Sequence, residues 1–267
     1  MKNELKEKSI RVRENILKMS KYGGAFIGSA LSCCDIILYL YDCYLNINKT
    51  NLKDPNRDFF FLSKGHAVPA LYSVLIEENI LDNERINNHL SIDDNIYLHP
   101  NRNIPGIEYH SGSLGHLISI SIGVSLDLKL KNANNKVVCL MGDGELNEGT
   151  CWEGFLIANA YNLDNLTIII DRNKIQANKK TEELIPLEPL EEKIKSFGLN
   201  VISIDGHNFL EIENALNQFY QNNKPKVIIA NTIRGKYFQE LEDKVDKWFC
   251  KLSENEIENL INNIRNL

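Results

Sequence analysis

Apolar runs that stop abruptly at polar or glycine-rich turns are the main pattern of this chain. The run at residues 137–141 is short, β-branched and apolar on both faces, and it stops at Gly142-Asp143-Gly144. Such a run is typical of a buried parallel strand. A similar run at residues 166–170 stops at Asp171-Arg172-Asn173. Further strands are predicted at Phe59–Leu62 and at residues 201–204 and 226–230.

Helical patterns fill the segments between these strands. The first helix is amphipathic, with apolar positions such as Ile16 and Leu17, and a loop through Gly28-Ser29 follows it. Asn208 and Ser253 are predicted caps of later helices. The other predicted helices lie at residues 35–45, 67–75, 82–90, 112–131, 150–161, 190–197 and 208–220, and a loop lies at 97–110. This order predicts an α/β fold, a doubly wound and mainly parallel sheet flanked by helices, in one domain over residues 1–267.

Composition excludes several classes of protein. The 267 residues include 43% hydrophobic and 25% charged residues, so a substantial core is expected. The net charge of −6 is spread over mixed charges, which disfavours nucleic acid and anionic membranes as partners. No secretory signal or membrane-spanning run is visible, so we expect a cytoplasmic location. The six cysteines include no Cys-x-x-Cys pair and predict buried free thiols.

Polar residues at the ends of the predicted strands are the candidate functional residues. Asp143 and Asn173 follow two strands of one βαβ unit, and their side chains meet if these strands are neighbours. A carboxylate and an amide suit Mg²⁺, although an Asp-Gly pair after a strand is often an ordinary turn. His66 lies at another strand-to-helix junction. Gly112-Ser113-Leu114-Gly115 opens a predicted helix, where glycines serve either a phosphate or close helix packing.

Several motifs of this chain resemble those of a known family. Gly142-Asp143-Gly144, followed about thirty residues later by Asn173, resembles the thiamine diphosphate-binding motif. Several blocks, in the same order and spacing, resemble the N-terminal half of transketolase. These blocks are residues 58–67 (DFFFLSKGHA), 111–116 (SGSLGH), 142–149 (GDGELNEG), 186–190 (PLEPL) and 204–208 (IDGHN).

The resemblance implies a cofactor, a metal, a partner and a reaction. The cofactor is thiamine diphosphate with Mg²⁺, or Ca²⁺ or Mn²⁺ in its place. The partner is a second subunit with the pyrimidine-binding and C-terminal domains, which supplies the activating glutamate in an α₂β₂ assembly. The reaction is the transfer of a two-carbon ketol or related acyl unit between sugar-type substrates, and the isolated chain is expected to be inactive.

The resemblance also assigns residues. Asp143, Asn173 and the carbonyl of Ile175 match metal ligands, and His66 and His99 match catalytic histidines. Glu148 matches a glutamate of the subunit interface, whereas His207 is interpreted as a turn residue and His89 and His110 as surface or loop histidines. The residues that match contacts to the cofactor are His66, Gly112, Ser113, Leu114, Gly142, Asp143, Gly144, Glu145, Asn173 and Ile175.

Two positions depart from the family pattern. Phe26 stands where the family usually has histidine, and Phe249 aligns with another histidine in a register that Lys247 makes uncertain. In the family these two histidines handle protons on the carbon beyond the transferred unit, whereas His99 matches a contact to the terminal hydroxyl of the donor. Phenylalanine cannot transfer a proton.

Four interpretations remain open. In the first, another side chain compensates for the two missing histidines and ordinary ketol transfer persists. In the second, the enzyme uses an altered substrate such as pyruvate or a deoxy or branched sugar. A non-catalytic structural or regulatory subunit is the alternative from another class. The α subunit of a 2-oxo-acid dehydrogenase shares the cofactor motif but lacks the Ser-Lys-Gly-His and Gly-Ser-Leu-Gly blocks seen here.

Overall fold

A five-stranded parallel sheet forms the centre of the computed structural model, which describes residues 2–217 and 223–265. Its strand order is β1-β2-β3-β7-β6. A separate antiparallel hairpin, β4-β5, follows β3 directly. The strands are β1 (Phe59–Leu62), β2 (Val137–Gly142), β3 (Leu166–Arg172), β4 (Ile175–Gln176), β5 (Lys179–Lys180), β6 (Asn200–Asp205) and β7 (Lys226–Asn231). The parallel sheet confirms the predicted fold class.

Helices cover both faces of this sheet. They are α1 (Lys2–Met19), α2 (Ile27–Tyr39), α3 (Val68–Glu77), α4 (Leu117–Leu130), α5 (Gly149–Ala160), α6 (Thr181–Leu184), α7 (Leu190–Ser196), α8 (Phe209–Asn217) and α9 (Glu254–Arg265). Alternate residues of β2 point to opposite faces: Val138 and Leu140 pack with α1, α2 and α3, whereas Cys139 and Met141 pack with α4 and α5. This arrangement explains why the strand is apolar on both faces.

Two predicted boundaries were wrong for reasons of backbone geometry and packing. The loop predicted at Gly28-Ser29 is the first turn of α2, where the missing Cβ of Gly28 leaves room for the side chain of Arg234. The helix predicted from residue 112 begins at Leu117, because Gly112 and Gly115 have φ values of +146° and +79°. These left-handed conformations cannot continue into a right-handed helix.

Other boundaries differ by less. The segment predicted as a helix at 82–90 contains the 3-10 helix Asn83–Asn88, and α2 continues into a π-helical turn at Leu40–Tyr44. The part of the predicted helix 208–220 that follows Asn217 lies outside the described residues. The predicted caps are confirmed, because Asn208 Oδ1 accepts the N–H of Leu210 and Ser253 exchanges hydrogen bonds with Glu256.

The six cysteines are free thiols, as predicted, and Cys43 alone among them is exposed. Across residues 2–217 and 223–265, no helix combines the length and apolar character needed to cross a membrane.

Candidate active site

The carboxyl ends of β1, β2 and β3 meet at one cavity of about 390 Å³. The register pairs Gly142 with Asp171, so Asp143 and Asn173, which follow these residues, lie at the same sheet edge. Segments from α2 and from the region after β7 close the opposite side. The lining residues are Phe26, Ser29, Lys64, His66, His99, Gly112, Leu114, Gly142, Asp143, Gly144, Glu145, Asn173, Ile175, Gln176, Ala177, Arg234 and Trp248. The prediction that the strand ends converge is therefore confirmed.

The carboxylate of Asp143 is buried and held by several donors. Its Oδ1 accepts the N–H of Gly144 at 2.8 Å, and its Oδ2 accepts the N–H of Lys174 at 2.7 Å. Arg172 Nη1 donates to Oδ2 at 2.8 Å. Burial raises the pKa of Asp143, and the guanidinium of Arg172 opposes that effect. Asp143 thus has a fixed orientation, and among the described residues Gly144 is the one donor to its Oδ1.

Asn173 is fixed by hydrogen bonds on both ends of its amide. Its Oδ1 accepts the N–H of Ile175 at 3.1 Å, and its Nδ2 donates to Asp171 Oδ2 at 3.0 Å. Asn173 and Ile175 line the cavity together with Asp143. Within the described residues no group of three or more His, Cys, Asp or Glu side chains could hold a metal. One carboxylate, one amide and one carbonyl remain, a donor set that suits Mg²⁺ completed by phosphate and water.

A fully buried ion pair supports the floor of the cavity. Lys64 Nζ donates to Asp171 Oδ2 and to the carbonyl of Ser29, the latter at 3.2 Å. Asp171 also accepts hydrogen bonds from the hydroxyls of Ser32 and Thr232. Burial alone would lower the pKa of Lys64 and raise that of Asp171. The opposite charge of the partner and the hydrogen bonds together outweigh burial for each group, so the pKa of Lys64 is raised and that of Asp171 is lowered. Both groups are therefore ionised at neutral pH, and they join α2, β1, β3 and the segment after β7.

Glu145 connects two loops rather than presenting a free carboxylate. Its Oε1 accepts hydrogen bonds from the Ser63 hydroxyl and from the N–H of Gly115 at 2.8 Å. Its Oε2 accepts the N–H of Gly142 at 3.1 Å. The predicted cofactor residue Glu145 lines the cavity, and its two oxygens bind the loop at residues 112–116 to the end of β2.

Glycines bring the backbone close to the cavity in two places. A Cβ on Gly112 would lie 3.2 Å from the His99 ring, and one on Gly144 would lie 2.7 Å from Gln176 Cγ. Gly112 and Leu114 line the cavity, whereas Ser113 is exposed, and its hydroxyl lies 3.2 Å from His116 Nδ1. The glycine-bounded backbone and the metal-type donors fit a diphosphate–metal group.

His66 and His99 both line the cavity, as predicted. The His66 ring lies 5.8 Å from the ring of Phe26, and the His99 ring lies 6.4 Å from it. Burial, with the nearby charges of Lys64 and Arg234, lowers the pKa of His66 to about 3. Burial also lowers the pKa of His99. Both imidazoles are therefore neutral at pH 7, and each has one donor and one acceptor nitrogen.

An aromatic cluster of Phe26, Trp248 and Phe249 faces these histidines. The Phe26 ring lies 5.2 Å from the ring of Trp248 and 5.1 Å from that of Phe249. An isolated antiparallel bridge between Ala25 and Cys250 brings the two segments together. Phe26 and Trp248 line the cavity, whereas Phe249 packs behind them and is 42% exposed.

Sequence reasoning missed Lys64, Asp171 and Arg234. Lys64 stands in the block at residues 58–67 and Asp171 directly follows the apolar run at residues 166–170, but no local pattern predicts that they pair across 107 positions. Arg234 follows the C-terminal end of β7, and that position was the one available signal. It is 2% exposed and lines the cavity.

The other histidines divide into three environments. His110 is exposed, as predicted. The prediction for His89 was wrong, because its ring is buried with Nε2 3.2 Å from the carbonyl of Gly24. His207 lies in the predicted turn, and its Nδ1 lies 2.9 Å from Asp35 Oδ2 while its Nε2 accepts the N–H of Ile233. Both nitrogens of His207 therefore hold the structure together.

A wider groove of about 920 Å³ begins at Asn173 and Ile175 and crosses the ends of β6 and β7. Its lining mixes Lys174, Lys180 and Lys236 with acidic side chains. It lacks the glycine-bounded backbone of the cavity, which is therefore the better candidate site.

Comparison with known proteins gives a consistent set of relatives. Residues 6–264 match the family model described as transketolase, thiamine diphosphate binding domain. One of the subunits of the apulose-4-phosphate transketolase of Actinobacillus succinogenes is 33% identical over 250 residues, which are 93% of this chain and 90% of that protein. The 6-deoxy-6-sulfo-D-fructose transketolase subunit of a Clostridium species is 36% identical over 239 residues, covering 89% and 87%.

A solved structure shows the same arrangement of elements. Transketolase from Campylobacter jejuni superposes with a TM-score of 0.90 at 29% identity. The superposition covers 98% of this chain and 42% of that one.

Proposed function

Because this chain belongs to the transketolase family, we propose that it is the diphosphate-binding subunit of a two-chain enzyme that transfers a two-carbon ketol unit between sugar phosphates. Its predicted class, a transketolase-type transferase subunit that depends on thiamine diphosphate, is confirmed by the family. One observation carries the proposal for the site. Asp143, Asn173 and Ile175 share a single cavity with two neutral histidines.

We assign the metal and diphosphate to one end of this cavity. Asp143, Asn173 and the Ile175 carbonyl would hold Mg²⁺, or Ca²⁺ or Mn²⁺ in its place. The backbone at Gly112, Leu114 and Gly144 would lie against the diphosphate. When bound, thiamine diphosphate supplies the carbanion that takes up the two-carbon unit. The chain itself orients this group and excludes water from it.

His66 and His99 would act on the substrate at the other end. Because both rings are neutral at pH 7, each can donate a hydrogen bond to one substrate oxygen and accept one from another. We propose that they hold the hydroxyl protons of the donor sugar. Phe26, which faces both rings, can neither donate nor accept a proton.

A separate partner chain follows from the names of three relatives, which describe single subunits of transketolases rather than whole enzymes. We propose that the partner carries the pyrimidine-binding and C-terminal domains and that the assembly is α₂β₂. Large apolar side chains on α4 and α5 support a contact between copies of this chain. Leu130, Leu156, Ile157 and Tyr161 are 75%, 55%, 46% and 53% exposed, and exposed Glu148 stands at the start of α5. If these side chains form one contiguous patch, they mark an interaction site.

The aromatic cluster favours a second, narrower candidate function. We propose an altered donor or acceptor, such as a deoxy or branched sugar or a 2-oxo acid, that places an apolar group against Phe26. The names of the relatives refer to apulose 4-phosphate and to 6-deoxy-6-sulfofructose, neither of which is an ordinary ketose phosphate. Turnover of xylulose 5-phosphate at ordinary transketolase rates would rule this narrower proposal out.

Calorimetry combined with a donor screen tests the proposed function. The chain, with the partner identified by pull-down from its host, is titrated with thiamine diphosphate with and without Mg²⁺. We expect metal-dependent binding, followed by ketol transfer in the complex only. Absence of metal-dependent binding would leave a structural or regulatory role. Ketol transfer by the isolated chain would refute the need for a partner.

A further inference from the structure

Arg234 is a buried cation that lacks a carboxylate partner. It is 2% exposed, and its Nη1 donates to the carbonyl of Ala177 at 2.6 Å. Its Nε and Nη2 have no hydrogen-bond partner among the described residues. Among the buried lysines and arginines within residues 2–217 and 223–265, the others pair with carboxylates: Arg13 with Asp35, Lys64 with Asp171 and Arg172 with Asp143.

Such an arrangement is unfavourable without a ligand. Burial lowers the pKa of Arg234, yet a guanidinium stays protonated in proteins. A buried charge with two unpaired N–H groups loses its hydration without replacement. Arg234 also lines the cavity, so an anion entering the cavity could reach these free donors.

The position of Arg234 indicates which anion this is. Its bond to Ala177 attaches it to the β4-β5 hairpin, which begins at Ile175 and directly follows Asn173, the two proposed metal ligands on this segment. On its other side, a Cβ on Gly28 would lie 3.3 Å from Arg234 Cγ and Nε, so the side chain lies against the first turn of α2. The free N–H groups of that turn also favour negative charge.

The peptide that precedes Arg234 is held from a different part of the molecule. The N–H of Ile233 donates to His207 Nε2 at 2.9 Å. Nδ1 of the same ring lies 2.9 Å from Asp35 Oδ2, and Asp35 is paired with Arg13. This chain of protein contacts fixes the backbone at Arg234, and such support is what a binding residue requires.

We propose that Arg234 binds a phosphate oxygen of the cofactor diphosphate and adds a cation to the metal and backbone donors already assigned. The inference rests on the proposed function, since it requires the diphosphate in this cavity. A sugar phosphate has the same chemistry. The cofactor is favoured because Arg234 is bonded to the hairpin that carries Ile175, a proposed metal ligand. The experiment must distinguish this contact from one with the phosphate of the substrate.

Calorimetry on the full chain in complex with its partner tests this assignment with Mg²⁺ and three probes: thiamine diphosphate, inorganic pyrophosphate and thiamine. Arg234→Met should weaken binding of the first two probes about 10- to 100-fold, the size of one charge-assisted hydrogen-bonded contact, and leave thiamine unchanged. Arg234→Lys should restore part of the loss. Arg11→Met, which removes an arginine that is half-exposed on α1, is the matched control and should bind like the wild type.

Thermal unfolding tests whether Arg234→Met binds weakly because it is misfolded. Without ligand, Arg234→Met should unfold at or above the wild-type temperature, because an unpaired buried charge has been removed, but its stabilisation by thiamine diphosphate should be smaller. Equal diphosphate binding by wild type and Arg234→Met would overturn the inference, as would a loss confined to the KM of a sugar phosphate. Failure of the wild type to bind thiamine diphosphate would instead overturn the proposed function as well.

Discussion

The two ends of the cavity are held in place by different forces. At the cofactor end, residues 142–145 and 173–177, the polar side chains are fixed by backbone N–H groups and by Arg172. At the aromatic end, formed by Phe26 and Trp248 and facing His66 and His99, ring contacts at 5.2 to 6.4 Å take the place of hydrogen bonds.

This difference suggests which end can change without loss of the fold. Removing a partner from a buried polar network leaves unsatisfied charges or N–H groups, which is costly. Exchanging one ring for another in a partly exposed cluster changes shape and polarity at a lower cost. We therefore expect substitutions at the cofactor end to abolish binding, whereas substitutions at the aromatic end should redirect substrate choice.

The largest effect should follow Asp143→Asn. The substitution keeps the shape of the side chain but removes the charge of the proposed metal ligand and of the buried partner of Arg172. We expect metal-dependent binding of thiamine diphosphate to weaken by at least about 100-fold, since a direct ligand should exceed the 10- to 100-fold cost of losing an outer-shell contact. Calorimetry with and without Mg²⁺ measures this change.

Asp164→Asn is the control for Asp143→Asn. Asp164 is 41% exposed and pairs with Lys129 at the surface. Its loss should leave cofactor binding unchanged, because exposed ion pairs contribute little. If Asp143→Asn binds the cofactor within threefold of the wild type, Asp143 is not the metal ligand and the cofactor end has been assigned incorrectly.

The next largest effect should be a gain of activity in Phe26→His. A histidine at this position would face His66 and His99 and could handle a substrate proton that phenylalanine cannot. We expect kcat/KM for ordinary ketose phosphates to rise about tenfold in the assembled enzyme, measured by a coupled assay. Phe26→Leu removes the ring without adding a donor. If it raises activity as much as Phe26→His, proton handling is not the cause.

The cofactor end could be predicted from sequence because its information is local. An apolar run followed by Gly142-Asp143-Gly144 predicts a buried strand and its polar end, and the βαβ spacing predicts that Asn173 lies beside it. Even the wrong helix start at residue 112 placed Gly112 at the cavity. Short-range patterns were sufficient because adjacent parallel strands bring their ends together.

The remaining features depend on contacts between distant segments. Lys64 meets Asp171 only after β1, β2 and β3 have assembled, and Phe26 meets Phe249 only through the bridge between Ala25 and Cys250. The sequence could indicate that both phenylalanines were unusual, but it could not show that their rings touch. Arg234 lay outside every motif, and its importance depends on its burial and on the two nitrogens that find no acceptor among the described residues, which no sequence pattern displays.

A moderate effect should appear in the dependence of stability on pH. Because the pKa of His66 is about 3 in the folded chain, the unfolded chain binds a proton below about pH 6.5 that the folded chain rejects. Stability should therefore fall as pH decreases from about 6.5 towards 3, by at most about 1.4 kcal/mol per pH unit for this residue. Urea unfolding at pH 7.5 and 5.5 measures the change.

His66→Gln isolates this contribution, since glutamine retains polar groups but does not titrate. The loss of stability between pH 7.5 and 5.5 should be smaller in this variant, while the half-buried His99 and the buried His89, whose pKa values are also lowered, still contribute in both proteins. Exposed His110→Gln is the control and should follow the wild type. Parallel pH profiles for wild type and His66→Gln would show that the pKa of His66 is not lowered in the folded chain.

The smallest effect should follow Phe249→His, and it tests where the aromatic end stops. The Phe249 ring touches Phe26 at 5.1 Å but is 42% exposed and does not line the cavity. A histidine there would remain hydrated and would reach a substrate only after the segment around Ala25 and Cys250 had moved. We therefore expect kcat/KM for ordinary ketose phosphates to change less than threefold, with Phe249→Leu as the control. A gain that equals that of Phe26→His would place residue 249 at the substrate and extend the aromatic end to include it.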